Sequence, residues 1–116
     1  MVFSEKLASR YRELKKLAGD AVLLMQVGAF MQVMDDDART VSGLTGLKLQ
    51  MAGDVGAPVV IGGFPLSGLD AYVGKLVRAG LSVAIAMQDE HKERHIVEQI
   101  RVSEVIRPDR KDEEIA

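Results

Sequence analysis

The residues best suited to chemistry are Phe30 and Gln32, in the stretch Leu23-Leu24-Met25-Gln26-Val27-Gly28-Ala29-Phe30-Met31-Gln32-Val33-Met34. An apolar run, a Gly-Ala pair and a second run that starts with an aromatic residue read as a β-hairpin. Gly28 supplies the positive φ that the first position of a type II′ turn requires. Side chains alternate along a strand, so Phe30 and Gln32 share one face while Met31 and Val33 share the other. The hairpin would therefore present an apolar ring beside an amide that both donates and accepts hydrogen bonds.

The other reactive residue types are less promising. Asp35-Asp36-Asp37 could suggest a metal, but adjacent side chains do not converge and no partner ligands follow at useful spacing. Three carboxylates just before a helical pattern fit a helix N-terminus and its dipole. His91 and His95 stand four apart with Glu93 between them, which is not the zinc-protease order, and a third ligand is not evident. The glycine pairs precede no Gly-Lys-Ser/Thr and lack the dinucleotide spacing. With no nucleophile paired to a base, no metal cluster and no phosphate loop, the expectation is a binding protein without a cofactor or metal, not an enzyme.

Composition narrows the class further. The 116 residues are one domain's worth, with 47% hydrophobic and only 4% aromatic residues, so the core must be aliphatic. No cysteine is present, which excludes disulfides and thiolate metal sites. The start Met1-Val2-Phe3-Ser4-Glu5-Lys6 lacks the apolar core of a signal peptide, and no apolar run reaches membrane-spanning length. A cytoplasmic protein without a membrane partner is expected. Fifteen Lys and Arg against 17 acidic residues give a formal charge of −2, unlike a strong nonspecific nucleic-acid binder.

The elements that would position Phe30 follow from periodicity. Residues 5 to 18 read as an amphipathic helix, capped by Ser4, with Leu7, Tyr11, Leu14 and Ala18 inward. Its outer face carries Lys6, Arg10, Arg12, Lys15 and Lys16, either a solvated face, the favoured reading, or a phosphate-binding surface. Residues 22 to 27 form a central strand covered on both sides. A short helix after Asp37 should turn Ala38, Val41 and Leu44 inward. Leu47 to Met51 alternates as a half-buried strand with Lys48 and Gln50 facing out, Ala52 to Pro58 reads as a loop, and Val59 to Ile61 is a short strand ended by Gly62-Gly63. Ser67 and Asp70 resemble a capping box for a helix carrying Leu69, Tyr72, Val73, Leu76 and Val77. Leu81 to Gln88 reads as an interior strand, and Asp89 to His95 as a charged hairpin loop. Ile96 to Ile106 is an edge strand, although a helix also fits its start. The result is an α+β fold: a mixed sheet of five to six strands with three helices packed on it. Residues 1–108 form one domain, and 109–116 a charged tail or linker.

In order and spacing, the chain resembles the N-terminal mismatch-recognition domain of the MutS family of DNA mismatch repair proteins, from about Tyr11 to Pro108. The carriers are Leu23 to Ala38, where the family has an apolar strand, a Gly-x-Phe-x-Glu hairpin and an Asp-Asp-Ala helix start. Others are Gly63-Phe64-Pro65, close to the family's Gly-Ile-Pro, Ala71-Tyr72-x-x-Lys75-Leu76-Val77-x-x-Gly80, and Ser82 to Gln88. The resemblance implies a partner, double-stranded DNA with a mismatch or distortion, read in the minor groove. Phe30 would be the wedge that replaces lost base stacking, and Gln32 would stand where the family's Glu bonds the mispaired base. Val27, Lys48, Ile61 and Gly62 would complete the DNA-binding set.

Three departures weaken that reading. Gln32 is uncharged where Glu repels phosphate, so the penalty against intact duplex should fall. Met51-Ala52-Gly53-Asp54 lacks the basic residues that family members commonly carry there, and Ala29 replaces their usual Asp. Without the clamp, lever and ATPase domains of the family, a lone module should bind weakly. The alternative is a protein-interaction module of the same fold, acting as a homo-oligomer or docking to a repair or replication partner. Exposure of Phe30 separates the two.

Overall fold

A computed structural model describes residues 1–102. Ser4 caps the first helix as its spacing requires: its hydroxyl accepts from the Leu7 N–H at 3.1 Å, and α1 runs Glu5–Ala18. The apolar run after it forms β1 (Val22–Val27), which returns through Gly28-Ala29 as β2 (Phe30–Met34). Then come α2 (Asp35–Thr45), β3 (Leu49–Asp54), β4 (Ala57–Pro65), a 3-10 turn at Leu66–Gly68, α3 (Leu69–Arg78), β5 (Val83–Gln88) and β6 (Arg94–Ile100).

The six strands form one sheet in the order β3-β4-β2-β1-β5-β6. β1 and β5 pair in parallel, and every other neighbouring pair is antiparallel. This is the expected α+β fold, with β1 at its centre. Leu7, Tyr11, Leu14 and Ala18 of α1 pack against Leu23, Met25, Val27, Met34 and Ile61 on one face. Ala38 and Val41 of α2 and Leu76 of α3 cover Val22, Leu24, Met31 and Val33 on the other. Successive residues of β1 and β2 thus feed two separate cores, which is why the β1 run has almost no polar position.

Several local expectations need correction. The strand expected to stop at Met51 continues to Asp54, and the expected loop over 52–58 is instead a tight hairpin turning at Val55-Gly56. β4 does not end at Gly62-Gly63 but runs through both to Pro65. A Cβ on Gly62 would lie 2.8 Å from Leu47 Cδ2 and 2.9 Å from Leu49 Cδ2, so this glycine leaves room for leucines arriving from β3 and its approach, and does not break the strand. Met51 and Leu44, expected inward, are exposed. The 3-10 turn precedes α3, whose N-cap is Gly68, and no side-chain capping bond forms, so the Ser67/Asp70 box is not made. The alternation from Ile96 is a strand at the sheet edge, and its expected extension past Val102, with the tail from Asp109, lies outside the described residues.

The Asp triplet stands in the first turn of α2, as expected, but makes no side-chain capping bond. Asp36 is fully exposed, and Asp35 pairs with Arg12 at 3.0 Å. Asp37 turns inward and accepts from the Leu23 N–H at 2.9 Å and from Lys15 Nζ at 3.1 Å. Tyr11 donates to the Leu23 carbonyl at 2.6 Å, with Asp37 Oδ2 at 3.2 Å. Leu23 is registered with Ala84 of β5 but lies beyond the last registered pair of the β1–β2 ladder, Met25–Gln32, so these side chains replace the β2 partner that its backbone lacks. Burial, followed by the negative charge of Asp37, holds the Tyr11 hydroxyl well above its ordinary pKa.

Candidate nucleic-acid interface

Phe30 stands at the first position of β2, just past the turn. Gly28 has φ 62° and Ala29 keeps a negative φ, the combination of a type II′ turn. Of the five aromatic side chains, only the Phe30 ring is exposed, at 48%. Phe64 and Tyr72 stack on each other with centroids 3.9 Å apart on the opposite face.

The turn that carries the ring is clamped from β5 and β6. The Gly28 N–H donates to Gln88 Oε1 at 2.7 Å, and the Gln88 N–H donates to Gln26 Oε1 at 2.8 Å. Gln26 Nε2 reaches the Gly28 carbonyl at 3.0 Å, and Arg94 Nε donates to the Gln26 carbonyl at 2.6 Å. A further bond, from the Leu66 N–H to the Ala29 carbonyl at 2.8 Å, fixes the outer side of the turn. Partial burial lowers the pKa of the Arg94 guanidinium from its ordinary value. These bonds restrict the hairpin, so Phe30 is held outward on a stiff support.

Gln32 shares the face of Phe30, as alternation requires, but not its exposure: it is 1% accessible. The two side chains are neighbours, yet only the ring is presented. Gln32 Nε2 donates to the Val2 carbonyl at 2.6 Å, and its Oε1 has no hydrogen-bond partner. A carbonyl only accepts, so the NH2 must be the group turned toward Val2, leaving the amide oxygen free. Gln32 lines a groove of about 480 Å3 together with Met1, Val2, Val27, Phe30, Gln50 and Gly63.

The remaining candidates divide. Val27 lines the groove at its floor, and Lys48 is exposed two residues before Gln50, which also lines it. Ile61 shares the face but is buried in the core under α1, 1% accessible. Gly62 is buried and opens toward Leu47 and Leu49 on the opposite face. The structure therefore takes Ile61 and Gly62 out of the surface that Phe30 belongs to. Sequence reasoning missed the clamp of Gln26, Gln88 and Arg94 and the cover formed by Met1 and Val2. The one available signal was Gln26, a polar residue inside an otherwise apolar strand.

The basic face of α1 is largely spent inside the molecule. Arg12 pairs with Asp35, which raises the Arg12 pKa, Lys15 pairs with Asp37, and Arg10 pairs with Glu13 at 3.0 Å. Among the described residues, no group of three or more His, Asp or Glu is placed to hold a metal ion, and no helix is long and apolar enough to cross a membrane.

Comparison with known proteins places the sequence in a family. The model of MutS domain I matches residues 5–109. The DNA mismatch repair protein MutS of Rhodopirellula baltica is 39% identical over 82 residues, 70% of this chain and 9% of that protein. The protein of the same name from Salinibacter ruber is 41% identical over 85 residues, 72% of this chain and 9% of its own length. That from Porphyromonas gingivalis is 34% identical over 110 residues, 92% of this chain and 12% of its own. The chain spans about a tenth of the length of these curated relatives.

Proposed function

The chain belongs to the MutS domain I family, and from that premise we propose that it is a nonenzymatic DNA-binding module that probes duplex DNA for a mispaired or distorted step with the ring of Phe30. The observation that carries the reading is the exposed ring on a clamped type II′ turn. An apolar ring in water gains by entering a base step, and the cost of opening that step is least where pairing is already defective. Rigidity of the turn matters because it limits the conformational freedom lost on insertion.

The partner is double-stranded DNA, bound weakly by so small a module. Val27 pairs with Phe30 across the hairpin, Lys48 stands exposed two residues before Gln50 of the groove, and Gln32 offers its amide oxygen once Met1 and Val2 give way. A second reading, a protein-interaction module acting as a homo-oligomer or docking to a repair partner, draws support from the burial of Gln32 and the internal pairing of the α1 cations. Titrating a duplex with one unpaired base and its fully paired counterpart at stated salt separates the two. The natural chain should prefer the defective duplex and Phe30→Ala should lose that preference. If neither duplex binds with salt sensitivity, the interaction reading stands instead.

A further inference from the structure

We infer that the groove between the N-terminal end of α1 and the β5–β6 turn is a track for the sugar-phosphate backbone of the duplex that Phe30 probes; this rests on the DNA-binding reading above. The groove, of about 530 Å3, is lined by Ser4, Lys6, Ser9, Arg10, Lys92 and Arg94, with His91 and the carboxylates Glu13 and Glu93 among its other walls. Four permanent cations face two carboxylates, a surplus of two in a chain whose formal charge is −2. The lining is thus more basic than the chain as a whole; of the two further carboxylates in the same turn, Asp89 is taken up by the His91 and Glu93 N–H groups and by His95, and Glu90 stands outside the lining.

Position gives that surplus its meaning. α1 covers the same sheet face that carries Phe30 and Gln32, and the β5–β6 turn begins directly after Gln88, whose side chain holds Gly28 at 2.7 Å. Val2 lines the groove beside Phe30 and Ser4 lines this one, so the two grooves adjoin around residues 2 to 4. A duplex entered by the ring has a backbone strand on either side of the groove it enters, and one of them meets this second groove.

The cations differ in kind. Arg10 is fixed, donating through Nε and Nη2 to the Arg94 carbonyl at 3.2 and 2.6 Å, and Arg94 is fixed through Gln26. They set the potential without reaching far. Lys6 and Lys92 are exposed and free to follow a phosphate. Lys92 also holds a left-handed backbone, φ 62°, at a turn position where glycine or asparagine would be less strained, and the turn thereby places an ammonium group at its tip.

The test uses Lys6→Glu with Lys92→Glu in one chain, and Lys16→Glu with Arg101→Glu as a control of equal charge change away from this groove. Binding of a labelled duplex carrying one unpaired base is measured between 50 and 200 mM salt. The groove variant should bind about 10-fold or more weakly at low salt, and its salt slope should fall by about two, one for each lost phosphate contact. Its preference for the defective over the paired duplex should persist, since Phe30 is untouched. If the groove variant binds as the control does, with an unchanged slope, the track is refuted while the Phe30 reading survives. If the natural chain binds no DNA at low salt, both fall together.

Discussion

The two ends of β1 meet the same difficulty with different side chains, and the contrast separates what holds the fold from what presents the site. At the inner end, the Leu23 backbone has outrun its β2 partner and is satisfied by Asp37 and Tyr11 beneath α1. At the outer end, the Gly28 backbone is satisfied by Gln26 and Gln88 at the surface. The inner substitutes include a carboxylate in a nearly dry setting, where a lost partner is costly. The outer substitutes are neutral amides near water, where the cost is small. What the outer end gains is direction: the same bonds that satisfy Gly28 aim Phe30 outward.

The comparison breaks most readily at Asp37. Asp37→Ala leaves the Leu23 N–H buried without a partner and Lys15 without its carboxylate, and should cost about 3 kcal/mol in urea unfolding at neutral pH. The preference of the remaining folded protein for defective duplex should hold, because Phe30 stands at the other end of the strand. If instead the preference collapses while the fold persists, the two ends are coupled and the division of labour is wrong. The same node sets an alkaline limit. The folded Tyr11 pKa is raised, chiefly by burial and then by Asp37, so its contribution to stability is complete below the unfolded value of about 10 and is lost as pH rises above it. Unfolding midpoints followed from pH 8 to 11 should fall above about pH 10, and Tyr11→Phe should flatten that fall.

At the outer end the order of effects should invert. Phe30→Ala removes an exposed ring, so stability should move by less than about 0.5 kcal/mol. The stacking contribution to defective duplex, roughly 1–3 kcal/mol, should vanish in a direct titration. A smaller effect is expected from Gln26→Ala, which removes the two clamp bonds made by the Gln26 side chain, at about 1 kcal/mol or less each. Here affinity for defective duplex should drop while a paired duplex is bound as before; equal loss on both would mean that the clamp serves the fold alone.

Legibility in the sequence follows the same division. The α1 cap at Ser4, the Gly28 turn and the facing of Phe30 and Gln32 were readable because each depends on residues within a few positions. The resemblance then suggested a role for Phe30 in advance of any geometry. Gly62 was misread as a stop because the leucines that need its space arrive from β3 and the residues leading into it. The Asp triplet was read correctly as a helix N-terminus, but the inward turn of Asp37 was not legible because its partners, Tyr11, Lys15 and Leu23, lie 14 to 26 residues away. Exposure was the least legible property: alternation assigned Gln32 its face correctly, but no local pattern announces that Met1 and Val2 fold over it.

That cover makes Gln32→Glu the finest test of the contrast. At neutral pH a carboxylate at position 32 would face the Val2 carbonyl, acceptor against acceptor, where the amide now donates at 2.6 Å. If Met1 and Val2 swing aside to admit water, the loss should be one hydrogen bond, about 0.5–1 kcal/mol, and a larger loss would mean that the cover stays closed over a buried charge. A protonated carboxyl can donate to Val2 again. Its folded pKa is therefore raised, and the contribution is present below the unfolded Glu value of about 4.3 and lost as pH rises through the higher folded one. The stability gap between Gln32→Glu and the natural chain should be small at pH 4 and full at pH 7, by urea midpoints at each. With the cover released and a charge beside the ring, intact duplex should be penalised more than defective duplex. A ratio of the two affinities that does not rise would mean that Gln32 serves only the packing of residues 1 and 2, and that recognition at this end of β1 belongs to Phe30 alone.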